Sequence, residues 1–346
     1  MADTVTSEQA VSSPAGTGNA PGFGEAFGLN LNTGQASYTV PIPVPKGIAG
    51  QVAKLDLVYS QNAGNGPFGF GWALPVRTVE RRLDFGVPTD GAAGADGDPL
   101  DLVVPRYLAD GEEIVEVTPG QWRARKESAF DRYERTGDGW AIHQRDGSSV
   151  RLGLAPAARV SDPDHPDRVV QWLPEQVLDP CGNVIAYTWD VEAGTPYLTS
   201  VAWAAYLVRF AYEDRPDRLR NGRAGWPRLT RRRCRGITLE VADAGVQRAV
   251  RRWDLTYEQA AFSGVSLLAQ VRLTSLGPAT DGSGDVVRPS QRFTYAAPDP
   301  ASWHARFAGA DPLSPPPPLT DRDALLAPLD NGPLPGVLAG KGRSLW

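Results

Sequence analysis

Nine consecutive residues, Gly64-Asn65-Gly66-Pro67-Phe68-Gly69-Phe70-Gly71-Trp72, hold four glycines, one proline and three aromatic rings. They follow the strand-like run Leu55-Asp56-Leu57-Val58-Tyr59. Glycine enters positive-φ backbone that a β-carbon forbids, and aromatic rings carry large apolar area. Such a stretch cannot propagate as a helix. It predicts a sharp corner between strands, with Phe68, Phe70 and Trp72 buried as plugs of a core. This is a structural motif; none of its residues is a nucleophile, a general base or a metal ligand.

The rest of the chain repeats that logic. Gly 37 and Pro 31 together make up nearly one residue in five of the 346, which favours turns and short strands. Val169 to Leu173 and Asn183 to Trp189 bracket a turn at Asp179-Pro180-Cys181-Gly182, and Asp146-Gly147 marks a hairpin of type I′. Further strands are expected at Trp72 to Leu83, Leu198 to Trp203, Leu207 to Tyr212, Cys234 to Val241, Arg251 to Tyr257 and Leu268 to Leu276. A short helical period near Ser266 to Gln270 stands alone. Turn signals every eight to twelve residues predict an all-β fold of many short antiparallel strands. Three segments are expected: a flexible arm over 1–20, an all-β domain over 21–310, and a final segment over 311–346. The last opens on Pro315-Pro316-Pro317-Pro318, a stiff polyproline spacer.

Composition removes several functions. A net charge of -5 and a pI near 5.4 argue against a nucleic-acid partner. The start, Met1-Ala2-Asp3-Thr4-Val5, lacks the basic and apolar regions of a secretory signal, and no apolar run is long enough for a spanning helix. Membrane insertion is therefore not expected. Cys181 and Cys234 are too few for a disulfide framework and are expected as free thiols. His143, His165 and His304 are isolated from one another, so no zinc site is expected.

Candidate chemistry is thin. Nine arginines fall between Arg215 and Arg235; alternate strand positions facing carboxylates on neighbouring strands, or a subunit interface, explain them better than nucleic acid does. Asp162-Pro163-Asp164-His165-Pro166-Asp167 reads as a surface turn, because its prolines disturb calcium-loop spacing. His143 with Ser148 and Ser149 lacks the glycine-flanked elbow of a serine nucleophile. Asp281-Gly282-Ser283-Gly284-Asp285 has the glycines of a phosphate cradle without the Lys-Ser/Thr that completes it. Catalytic, cofactor-binding and metal residues are all expected to be absent, and the chain is expected not to be an enzyme.

Several blocks, in order from about residue 21 to 296, resemble a known family. They include Pro21-Gly22-Phe23-Gly24-Glu25-Ala26-Phe27, Asn32-Thr33-Gly34-Gln35-Ala36, the Gly64 to Trp72 corner, Gly182-Asn183-Val184-Ile185-Ala186-Tyr187, Arg223-Ala224-Gly225-Trp226 and Leu255-Thr256-Tyr257-Glu258. The resemblance is to the amino-terminal domain of the Salmonella virulence plasmid B protein, shared with the B component of insecticidal toxin complexes. It implies part of a β-shell or sandwich that encloses a toxic cargo. The implied partners are the channel-forming A component and the C component with its cargo. It also implies synthesis in the cytoplasm followed by an extracellular role within the complex.

Asp330-Asn331-Gly332-Pro333-Leu334-Pro335-Gly336-Val337-Leu338 resembles the opening of a β-propeller blade, with Pro333 where a carboxylate is expected. No Tyr-Asp repeat array and no cargo domain stand within the 346 residues. No two glutamates have the Glu-x-Glu spacing of the family's ADP-ribosyltransferase loop, which predicts no transferase activity. The resemblance therefore reads as a non-enzymatic structural module. Two alternatives remain open: a secreted carbohydrate- or surface-adhesion module using some of the ten tryptophans, or a truncated relic of a longer toxin.

Overall fold

The structure, a computed structural model, describes residues 26–30, 35–83, 106–243, 245–278 and 282–296, and the backbone of three short strands after residue 320. The expected arm over 1–20 and the polyproline spacer lie outside the described residues. The chain divides into two units, Met1–Tyr295 and Ala296–Trp346.

The first unit begins with β1 (Ala26–Asn30), β2 (Gln35–Val40), β3 (Leu57–Ser60), β4 (Asn65–Gly66), β5 (Gly69–Phe70) and β6 (Trp72–Ala73). It continues with β7 (Val79–Arg81), β8 (Tyr107–Ala109), β9 (Glu112–Thr118), β10 (Gln121–Ala124), β11 (Arg132–Thr136), β12 (Gly139–His143) and β13 (Ser149–Leu152). Next come β14 (Arg159–Ser161), β15 (Val169–Trp172), β16 (Pro174–Leu178), β17 (Val184–Glu192) and β18 (Thr195–Trp203). The long strands follow: β19 (Tyr206–Asn221), β20 (Arg228–Asp243), β21 (Val246–Gln259) and β22 (Ser266–Ser275), then the short β23 (Val286–Val287) and β24 (Gln291–Arg292). Among the described residues helix is confined to single 3-10 turns at Ile48–Gly50 and Pro156–Ala158. The all-β expectation holds, and every pairing is antiparallel.

The strands form two packed assemblies. In the first, β7 to β13 pair in sequence. The stretch from β15 into β16 then pairs with β7 through Trp172 and with β13 through Val177. The ladder thereby curls round its own core of Val79, Tyr107, Ile114, Trp140, Ile142, Leu152 and Trp172. Leu173 turns the corner between β15 and β16, donating to the Ala158 carbonyl and accepting from the Gly153 amide.

In the second assembly, β17 to β22 continue the ladder as a broad sheet. Its inner face alternates as period-two geometry demands: Ile237 and Leu239 are buried while Thr238 and Glu240 face outward. Across the strands Phe210, Ile237, Trp253 and Leu273 stand in register. The four-stranded sheet β1-β2-β3-β6 contributes Val40, Leu57 and Trp72 to the same core, so two sheet faces share one apolar layer.

Four local expectations are corrected. The strand expected over Trp72 to Leu83 is broken into β6 and β7, with Pro75, which has no amide to donate, between them. The Asp146-Gly147 hairpin forms without type I′ geometry: only Gly147 has positive φ, and Gln144 and Ser148 are bridged by a wider turn. Ser266 to Gln270 is strand, not helix. β19 and β20 each run 16 residues, far beyond the short strands expected there.

The second unit contains β25 (Ala324–Ala327), β26 (Gly336–Ala339) and β27 (Ser344–Leu345), a three-stranded antiparallel meander. Most of the segment read as a blade opening, 330–335, lies outside the described residues, and the propeller start is not confirmed.

Candidate functional site

The glycine corner is a compact knot of backbone. Asn65 and Phe70 pair, as do Gly66 and Gly69, with Pro67 and Phe68 at the turn. Gly64, Gly69 and Gly71 have φ of 72°, 89° and 79°. A β-carbon on Gly71 would lie 2.5 Å from Tyr59 Cε2, and one on Gly69 would lie 2.9 Å from the Ser266 carbonyl oxygen. Phe68 and Trp72 are buried at 6% and 3% exposure. Phe70 is 39% exposed, which corrects the expectation that all three rings are buried. Gly69 faces the sheet, so its neighbour on the strand points away.

Trp72 fills an aromatic cluster with Tyr59, Phe293 and Tyr38, at ring separations of 5.4, 4.8 and 6.5 Å. Its indole Nε1 donates to Tyr295 Oη at 2.8 Å, and Tyr295 donates to the Leu268 carbonyl at 2.8 Å. Burial pushes the Tyr295 phenol up to about 12, against the lowering hydrogen bond from Trp72.

Under the corner lies a polar cluster the sequence reading missed. Between Asp214 and Leu219, β19 advances five residues while β20 advances two, from Arg232 to Thr230. This bulge turns Arg215 and Asp217 inward around Pro216. Arg215 donates to Asp217 Oδ1 and Oδ2 at 3.0 and 2.9 Å, to the Gly66 carbonyl at 3.0 Å and to Asn65 Oδ1 at 2.8 Å. The Ser266 amide donates to Asp217 Oδ2 at 2.7 Å, and its hydroxyl donates to Oδ1. Burial works against the Asp217 charge, yet the hydrogen bonds from Arg215 and Ser266 hold its carboxyl well below the usual range. The corner is also tied to β20, because the Cys234 amide donates to the Pro67 carbonyl at 2.7 Å. A proline inside the run Arg215-Pro216-Asp217 is the one sequence signal of this bulge.

The other candidates are drawn into local structure. His143 meets Glu134 at 3.3 Å and stands opposite Ser149 in the β12–β13 ladder, while Ser148 Oγ lies within hydrogen-bond reach of Gln144 and Asp146. Asp162 Oδ1 accepts from the Asp164 amide as an ordinary turn. Asp285 Oδ1 accepts from the Gly277 amide, while Asp281 lies outside the described residues. Among the described residues no three His, Cys, Asp or Glu side chains converge on a metal position. Of the arginines, Arg233 meets Glu213 on the neighbouring β19, and Arg232 meets Glu192 at the end of β17. Cys181 is exposed and Cys234 buried, both free.

The family model described as Salmonella virulence plasmid 65kDa B protein matches residues 30–206. Curated relatives named Mono(ADP-ribosyl)transferase SpvB, from Salmonella typhimurium and Salmonella dublin, are 32% identical over 50% of this chain. The matched part is 33% and 32% of those relatives, so the chain spans about a third of their length. Among solved structures, TcdB2-TccC3 superposes with a TM-score of 0.74 at 24% identity, covering 99% of this chain and 20% of that one. The N-terminal domain of effector protein SpvB from Salmonella typhimurium strain LT2 gives 0.60 at 22%, covering 69% of this chain and 98% of that domain. The Photorhabdus luminescens Tc holotoxin pore gives 0.72 at 22%, covering 99% and 19%. These structural likenesses concern the fold.

The relatives overturn one expectation. The chain was expected not to be an enzyme, whereas the curated proteins it matches are named as mono(ADP-ribosyl)transferases. That activity is named for the whole of relatives of which the matched part is about a third. The family match takes in just over half of the residues, the whole corner from Gly64 to Trp72 included, and this chain belongs to the Salmonella virulence plasmid 65kDa B protein family.

Proposed function

We propose that this chain is a structural module of a bacterial toxin complex. It supplies a stretch of β-wall that helps to enclose a toxic cargo and that assembles with partner toxin subunits. The observation that carries this reading is the fit of nearly the whole chain onto a fifth of the TcdB2-TccC3 chain. The broad β17–β22 sheet supports it physically, since strands of 14 to 16 residues in one continuous ladder make a stiff wall. Through such assembly the chain would act outside the cell after synthesis in the cytoplasm. The transferase activity in the relatives' names extends to this chain as a proposal: the module is the scaffold part of a protein of that kind.

A chimera tests the reading. This chain replaces the matched fifth of TcdB2, and the product is co-expressed with TccC3 and imaged by electron microscopy. The expected outcome is a complete shell that co-elutes with TccC3. A chimera that is folded by circular dichroism yet elutes apart from TccC3 would overturn the proposal.

A further inference from the structure

Beside the glycine corner a cleft of about 660 Å³ opens between three segments: residues 65–67, residues 195–196 and residues 219–230 at the end of the β19–β20 hairpin. That volume is of the size ligand sites use. Arg220, Arg223 and Arg228 line it, together with the apolar walls of Pro67, Pro196 and Leu219. Among the described residues none of the three arginines is in an ion pair. Glu80 lies beyond ion-pair distance of Arg228 but offsets part of its charge electrostatically. Asp217, beneath the corner, is already neutralised by Arg215. Arg220 and Arg223 therefore leave the cleft with net positive charge in a chain whose net charge is -5.

Its walls are set in place. Thr195 Oγ1 donates to the Leu229 carbonyl at 3.0 Å, and the Leu229 amide donates to Ala193 at 3.0 Å. Arg228 Nε donates to the Gly194 carbonyl at 3.2 Å. Arg215 holds the Gly66 carbonyl from below. The hairpin end is anchored by Ala224 and Trp226, buried with Val160 and Val170 in a cluster of their own. The Arg228 guanidinium, held on such a wall, binds an oxyanion with little ordering cost, while Arg220 and Arg223 are exposed at the rim.

We propose that this cleft binds an acidic peptide segment of a partner subunit. Its carboxylates meet Arg220 and Arg223 at the open side and Arg228 within, while its apolar side chains lie on Pro67, Pro196 and Leu219. The apolar walls favour a peptide over a bare phosphate, which has no surface to place on them. The source of the segment rests on the toxin-complex reading; the charge recognition does not.

The test uses the full chain and a fluorescein-labelled peptide of alternating Glu and Leu, followed by anisotropy. Saturable binding that weakens as salt rises is expected. The double substitution Arg220→Gln with Arg223→Gln should weaken it by about tenfold or more. Arg248→Gln removes an exposed arginine of β21, away from the cleft, and should leave binding unchanged. All variants should melt with the wild-type protein. Absence of saturable binding, or equal loss in the Arg248 variant, overturns the cleft. Inorganic phosphate binding as tightly as the peptide overturns the peptide as occupant. A chain that assembles in the TcdB2 chimera but binds no peptide refutes this proposal alone; one that binds peptide but does not assemble refutes the scaffold alone.

Discussion

Arg215 and Asp217 stand two residues apart in the bulge of β19 and form an ion pair at 2.9 Å, with no solvent reaching the guanidinium side chain. The same guanidinium holds the Gly66 carbonyl and Asn65, and the same carboxylate holds Ser266. One buried pair therefore fastens the glycine corner to both β19 and β22. A buried charge is tolerable only with its partners present, so loss of either side leaves the other stranded.

Asp217→Ala is expected to lower the free energy of unfolding by about 3–5 kcal/mol, read by urea denaturation. The paired replacement Arg215→Met with Asp217→Leu should recover much of that loss, since it leaves no charge behind. A single variant as stable as wild type would show that the pair does not hold the corner.

The acid side of stability follows from the same carboxylate. Its folded value lies below the unfolded 3.8, so its contribution is fully present above about pH 4 and is lost as pH falls through the folded value. Stability measured against pH should decline more steeply below pH 4 in wild type than in Asp217→Asn. Parallel curves would contradict the assignment.

Trp72 and Phe70, two residues apart, should respond in opposite ways. Trp72→Ala removes a ring at 3% exposure and is expected to cost about 3–5 kcal/mol and yield insoluble protein. Phe70→Ala removes a ring at 39% exposure and should cost less than about 1 kcal/mol. Comparing soluble yield and thermal melts of the two decides the placement.

Gly71→Ala would set a β-carbon against the Tyr59 ring at a φ of 79°, with an expected cost of about 2 kcal/mol or more. Gly66→Ala, where nothing stands within 4 Å, should stay within about 1 kcal/mol of wild type. Equal melting midpoints for the two would refute the close approach.

The two thiols should separate cleanly. Burial pushes Cys234 up to about 12, so its thiolate is scarce at neutral pH, while Cys181 is exposed. An aromatic disulfide reagent at neutral pH should titrate one thiol in the native chain and a second only after unfolding. Cys181→Ser should abolish the native reaction.

The all-β architecture was legible because it rests on short-range rules. Alternation such as Ile237, Thr238, Leu239, Glu240 announces a half-buried strand wherever it stands, and the glycines of 64–71 announce a corner because glycine enters positive φ without steric cost, as Gly64, Gly69 and Gly71 do. The same local reading stopped β19 at Tyr212, because Arg215-Pro216-Asp217-Arg218 breaks the alternation, although β20 continues to pair beyond it. It also buried Phe70, since a ring's face depends on pairing with Asn65, which composition does not reveal.

Sequence alone thus determined the class of fold, the corner and the faces of regularly alternating strands such as β20, all governed by each residue's own backbone freedom and polarity. Tertiary structure alone decided the bulge, the Arg215–Asp217 pair, the packing of the β1-β2-β3-β6 sheet on β17–β22 and the basic cleft. Apart from the pair itself, whose partners lie far off, each of these joins residues distant in the chain: Asn65 and Asp217 are 152 positions apart, and Pro43 and Arg251 are 208. Such contacts form only when the entropy of closing those long loops is offset by burial shared across the whole sheet.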